Sequence, residues 1–200
     1  METTTIDRQK ELENQFNGFF SKHNILDLYG QLSVRELIEL KRIFSCINNL
    51  ITLRATIAFV KQLRKDNFIS QAVYDNILND INKQHANANG FDVKYEGEQG
   101  KKIIAEVKCN IPVDKTSFGP AQKEGIIKDI QYLQNGKSKA KINNTAQYYK
   151  FMVILDCDEN VKECMRKIID KQNMVKELVK EYTTPNDLDK EHVFVMYVTI

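Results

Sequence analysis

At 200 residues the chain has room for one compact domain, or one domain with a sizeable helical extension. Its 29 lysines and arginines against 27 aspartates and glutamates leave a net charge of +2. That excludes a histone-like basic coat but allows a local basic cleft. With 42% hydrophobic and 28% charged residues, and only eight glycines and three prolines, the composition is that of a globular protein built from long elements, not a collagenous or linker-like chain.

The longest wholly apolar run, Val193–Val198, is six residues, against about 20 for a membrane-spanning helix. Met1–Asp7 carries neither the basic start nor the apolar stretch of a secretory signal. Cys46, Cys109, Cys157 and Cys164 form no Cys-x-x-Cys pair, which argues against a disulfide scaffold or a zinc knuckle. The expectation is a soluble, reduced, cytoplasmic protein with no membrane partner.

The first part of the chain has helical periodicity. Leu12, Phe16, Phe19 and Phe20 share one face, with Thr5 as N-cap. Ser33-Val34-Arg35-Glu36 is a capping box that opens a second helix. Val34, Leu37, Ile38, Ile43, Phe44 and Ile47 form its stripe, and Leu50, Leu53, Ile57 and Val60 continue to about Lys65, either in the same helix or in a separate one after Asn48-Asn49. Ser70 caps another helix carried by Val73, Ile77, Leu78 and Ile81. From Phe91 the period falls to two, and Phe91, Val93 and Tyr95, then Ile103, Ala105, Val107 and Cys109, read as a β-hairpin with one apolar face. Gly119-Pro120 opens a helix whose stripe is Ile126, Ile130 and Leu133, and Asn135-Gly136 ends it. A strand at Phe151–Leu155, a helix from about Asn160 to Tyr182 and a strand at His192–Thr199 complete the prediction.

A turn centred on Gln99 sets Asp92 and Glu106 at equal distances on the two arms, and therefore opposite each other. Opposed residues of a hairpin have Cβ atoms about 4.5–5.5 Å apart, close enough for two carboxylates to destabilise the pairing. A hard divalent cation between them turns that cost into binding. Lys108 follows Glu106 by two residues and shares its face. A slip of one residue would send the two acids to opposite faces. Two acids and an ammonium on one patch suit phosphodiester hydrolysis: a metal polarises the phosphate and acidifies water, and a lysine positions the nucleophile.

Gly90-Phe91-Asp92-Val93 followed by Ile103-Ile104-Ala105-Glu106-Val107-Lys108 resembles the Asp…Glu-x-Lys signature of the PD-(D/E)XK nuclease superfamily. Phe91 stands where that motif carries proline. The resemblance implies a core of helix, three-stranded antiparallel meander, helix and strand. It also implies Mg²⁺ held by Asp92, Glu106 and the backbone carbonyl of Val107, with Lys108 as the catalytic lysine. Gln122 matches a glutamine that some branches add on the following helix, and an acid from the preceding helix falls on either Glu36 or Glu39.

Lys115-Thr116-Ser117, beyond the second hairpin strand, and Lys137, Lys139 and Lys141, after the next helix, are candidate contacts to DNA phosphates, or simply solvated loops. The fold expected is α/β (α+β), a restriction-endonuclease-like mixed central sheet flanked by helices. Residues 1–86 form a helical region for dimerisation or DNA reading, and residues 87–200 the nuclease core. The activity expected is Mg²⁺-dependent cleavage of double-stranded DNA, type II restriction-like, by a homodimer. The alternatives are a structure-specific or repair nuclease, and a non-catalytic DNA-binding module with the same fold.

Overall fold

The computed structural model describes residues 17–18, 20–22, 28–83, 90–97, 101–113, 115–157 and 160–200. The chain divides into two compact units, Met1–Ile47 and Asn48–Ile200. In the first unit, Asn17, Gly18, Phe20 and Ser21 are helical. The rest of the first predicted helix, with Thr5, Leu12, Phe16 and Phe19, lies outside the described residues.

A short helix, α1 (Leu28–Gln31), precedes one continuous helix, α2 (Val34–Lys65); there is no break at Asn48-Asn49. The capping box at its start is formed: Glu36 Oε2 accepts from the Ser33 N–H at 2.7 Å and from the Ser33 hydroxyl at 2.6 Å. The helix ends where Asn67 takes a left-handed φ of 59° and the Phe68 N–H reaches back to the Leu63 carbonyl at 2.9 Å, a Schellman closure. The apolar residues Val34, Ile38, Ile43, Phe44, Ile47 and Leu50 are exposed, so the stripe expected there is not a core face in this structure. By length and composition α2 could cross a membrane, having an 18-residue window of mean hydropathy 1.5. Polar residues, among them Asn48, Asn49 and Arg54, interrupt its apolar sequence. The C-terminal part of α2 is a core helix, with Ala55, Phe59, Val60 and Leu63 fully buried.

The second unit is built on a five-stranded sheet in the order β1-β2-β3-β5-β4. Its strands are β1 (Val93–Glu96), β2 (Lys102–Lys108), β3 (Tyr148–Leu155), β4 (Val179–Glu181) and β5 (Val193–Val198). The β1–β2 pair is antiparallel and every other pair is parallel. Helix α3 (Gln71–Lys83) follows α2, α4 (Pro120–Asn135) links β2 to β3, and α5 (Val161–Lys171) and α6 (Asn173–Lys176) lie between β3 and β4. The fold is thus mixed α/β, a mostly parallel sheet flanked by helices. Among the described residues the antiparallel part is a two-stranded hairpin, where the family resemblance implies three strands.

Helices cover both faces, as parallel strands require. On one face Phe59, Leu63, Val73 and Ile77 of α2 and α3 pack on Ile103, Ala105, Val107, Phe151 and Phe194. Phe59 and Phe151 lie with ring centroids 5.1 Å apart, a tilted contact worth about 0.5–1.5 kcal/mol beyond area burial. On the other face Ile126, Ile130 and Leu133 of α4 and Val161, Met165 and Ile168 of α5 pack on Ile104, Met152, Ile154 and Val195. Phe91 joins this second cluster, not the face of Val93 and Tyr95, because the regular alternation starts only at Val93. The helix expected as far as Tyr182 breaks at Gln172, whose backbone is extended, and Val179–Glu181 becomes an edge strand through its pairing with β5.

Candidate active site

The hairpin register is the one derived from the turn at Gln99: Val93 faces Ala105, Lys94 faces Ile104 and Tyr95 faces Ile103. Continued by one residue, it sets Asp92 against Glu106. The Val107 N–H donates to Asp92 Oδ2 at 2.7 Å, so the strand that carries Glu106 also fixes Asp92. Glu106 is 6% exposed, because α4 covers this face of β2. The polar side of the hairpin is therefore covered at the Glu106 end, while Lys94 and Glu96 farther along it stay exposed.

Burial sets the electrostatics. It lifts the Glu106 carboxyl to about 7, with Asp92 and then Asp129 adding to the rise and Lys137 opposing it. Asp92 is also raised, first by burial, against the pull of the Val107 N–H and of Lys108. Two carboxyl groups this close resist ionising together, and Glu106 holds its proton up to near-neutral pH.

Two lysines close the group. Lys108 shares the Glu106 side of β2 and pairs with Asp129 Oδ2 on α4. Lys137 Nζ lies 2.9 Å from Glu106 Oε1 and 2.9 Å from the Gly90 carbonyl. Sequence reasoning placed Lys137 among loop contacts to DNA; the structure turns it onto an acid. Asp129 was missed altogether. Its signal was legible, since it is an acid set within the apolar stripe of Ile126, Ile130 and Leu133.

The predicted positions of the second unit other than these make different contacts. Gln122 Oε1 accepts from the Gly119 N–H at 2.9 Å and its amide donates to the Ile111 carbonyl at 3.4 Å; the side chain caps α4. Lys115 has a left-handed φ of 58°, and its carbonyl accepts from Asn160 Nδ2 at 3.1 Å. The Thr116 carbonyl accepts from Lys167 at 3.5 Å, and the Ser117 carbonyl accepts from the Val113 N–H at 2.7 Å. These bonds shape the loop between β2 and α4 and leave the Lys115 and Thr116 side chains exposed. Lys139 and Lys141 are exposed beyond α4. Glu36 and Glu39 belong to the first unit, where the capping bonds from Ser33 hold the Glu36 carboxyl below its usual range.

Among the described residues no group of three or more His, Cys, Asp or Glu side chains is placed to hold a metal ion. Mg²⁺, however, keeps most of its waters and is commonly bound by one or two carboxylates. The opposed pair of buried Glu106 and half-buried Asp92 supplies that donor set, and their mutual repulsion is what a divalent cation relieves. The residues present therefore fit Mg²⁺. Comparison of the chain with known protein families, with curated proteins and with solved structures finds no match.

Proposed function

We propose that this chain is a Mg²⁺-dependent endonuclease of the PD-(D/E)XK type, hydrolysing phosphodiester bonds of double-stranded DNA in the manner of a type II restriction enzyme. The observation that carries this reading is the opposition, in register, of a buried Glu106 and a half-buried Asp92, with Lys108 on the same side of the same strand as Glu106. The succession of hairpin, helix and parallel strand beside β2 agrees with it. In this reading the protein acts in the cytoplasm as a homodimer, one protomer for each strand of the duplex.

Asp92 and Glu106, with the Val107 carbonyl, would hold Mg²⁺, which when bound supplies charge neutralisation at the phosphate and a more acidic water. The Val107 N–H keeps Asp92 aimed at Glu106, and Asp129 keeps Lys108 at the end of β2. Lys108 donates to the attacking water and orients it. The water oxygen bonds to phosphorus and releases a proton to solvent, the bond from phosphorus to the leaving sugar oxygen breaks, and that oxygen takes up a proton from solvent, so that none is gained or lost overall.

The test is incubation of the purified protein with plasmid and genomic DNA, in Mg²⁺ and in EDTA, beside Glu106→Ala. Discrete fragments made only by the wild type in Mg²⁺ are expected. Smearing or nicking would replace the restriction-like reading with a repair or structure-specific nuclease. Duplex binding by folded protein with no cleavage of duplex, junction or single-stranded DNA would leave only a DNA-binding module.

A further inference from the structure

Lys137 is more deeply built into the site than a phosphate contact on a loop needs to be. Its ammonium donates to Glu106 Oε1 and to the Gly90 carbonyl, each at 2.9 Å. It also lies 5.6 Å from the ring centroids of both Phe91 and Tyr132, within the range at which an aromatic face attracts a cation. Four groups from three segments thus converge on one ammonium.

The backbone is shaped to deliver it. Gly136 has a φ of 95°, and a Cβ there would stand 2.5 Å from the Ile142 carbonyl oxygen, so only glycine fits. The next residue is clamped, Lys137 N–H donating to the Ile142 carbonyl at 2.8 Å and Ile142 N–H donating back to the Lys137 carbonyl at 3.4 Å. Lys139 and Lys141 on the same turn are exposed. The turn therefore sends one lysine inward to the acids and two outward to solvent.

Charge supplies the second argument. With every group ionised, the carboxylates of Asp92, Glu106 and Asp129 outnumber the ammoniums of Lys108 and Lys137 by one. Adding one Mg²⁺ makes the group singly positive, and one phosphodiester then neutralises it. Without Lys137 the metal-loaded group would be neutral before DNA arrives, and Lys108 is already paired with Asp129.

We propose that Lys137 is a catalytic residue, the site's second cation, whose ammonium contacts a non-bridging oxygen of the scissile phosphate and stabilises the charge that builds there as water attacks. This rests on the nuclease reading and adds to it a residue far from the Asp…Glu-x-Lys motif. The phosphate takes over one of the ammonium's protons from the Gly90 carbonyl, while the bond to Glu106 keeps the lysine in place.

The experiment uses the full chain and a duplex that the wild type cleaves. Wild type, Lys137→Met, Lys137→Gln and Lys137→Arg are compared in single-turnover cleavage at saturating Mg²⁺, in duplex binding by anisotropy in Ca²⁺, and in Mn²⁺ binding by calorimetry without DNA. Lys137→Met and Lys137→Gln are expected to slow cleavage by about 100-fold, the scale for removing one charge-stabilising donor. Their duplex Kd should move by less than about threefold and Mn²⁺ should still bind, while Lys137→Arg recovers most of the rate. Lys139→Met and Lys141→Met should act on the duplex Kd instead. Lys137→Gln keeps a donor for Glu106 and Gly90, and carries the test if Lys137→Met does not fold. Unchanged cleavage by Lys137→Gln, or loss of Mn²⁺ binding along with the rate and no recovery in Lys137→Arg, would overturn the inference and leave the nuclease reading standing. A folded wild type that cleaves no DNA would overturn both.

Discussion

Replacing Glu106 by glutamine should make the metal-free protein more stable at pH 8 while abolishing its response to divalent cations. Glu106 is held at about 7 by burial, then by Asp92 and Asp129, against the pull of Lys137. The ordinary value is 4.5. At ~1.4 kcal/mol per pKa unit, ionising this carboxyl costs the fold about 3 kcal/mol, a figure that already contains the Lys137 attraction. The sign follows from proton counts. Between pH 4.5 and about 7 the folded chain binds the proton more tightly than the unfolded chain, so stability falls as pH rises through that window. Glutamine has the shape of the protonated acid and does not titrate, so Glu106→Gln should be indifferent to this window. For a protein of this size 1 kcal/mol moves Tm by about 2–4 °C. Thermal melts in EDTA should therefore show the variant above the wild type by roughly 6–12 °C at pH 8, converging as pH falls toward 4.5. In Mg²⁺ or Mn²⁺ the wild type should gain stability at pH 8 and lose that gain near pH 5.5, where the proton competes with the metal; the variant should gain none. A variant that melts below the wild type at pH 8, or keeps its cation response, would refute the account of Asp92 and Glu106 as a strained, cation-seeking pair.

Two more substitutions separate scaffold from chemistry. Gly136→Ala places a Cβ against the Ile142 carbonyl at a φ of 95°. It should cost about 1–3 kcal/mol of stability and reduce cleavage as well, because Lys137 follows directly; a neutral effect in urea unfolding would contradict the local geometry. Gln122→Ala removes the acceptor that caps α4 and should lower stability by about 0.5–2 kcal/mol, with single-turnover cleavage little changed at a temperature where the variant stays folded. A rate loss comparable to that of Lys108→Ala would return Gln122 to the catalytic group.

Features fixed by neighbours in the chain were legible before any coordinates. The Ser33–Glu36 box, the Ser70 cap, the limits of α4 at Pro120 and Gly136, and the hairpin register are all local, and each depends on a side chain or turn a few residues away. What was not legible depends on partners distant in sequence. Val179–Glu181 is a strand only because β5 lies beside it. Gln122 faces the sheet by helical spacing, yet the free Gly119 N–H is nearer and takes its side chain. Lys137 reads as one of three similar lysines, and only the turn of the chain at Gly136 singles it out. Asp129 was passed over because the apolar residues around it read as core, although an acid inside such a stripe needs a partner, and Lys108 is that partner.

The charged groups of the site reach it by two routes. Asp92 and Glu106 meet through a hairpin whose arms are close in sequence, whereas Asp129 and Lys137 arrive on the long connection that must place β3 parallel to β2. Contacts near in sequence form ahead of distant ones, since closing a long connection carries the larger entropy loss. The chain therefore brings its two negative charges together with Lys108 beside them, before the turn after α4 can add Lys137. Assembly of this sheet begins with a repulsion that Lys108 offsets in part and that protons or dissolved cations relieve further, until docking of the crossover adds Lys137.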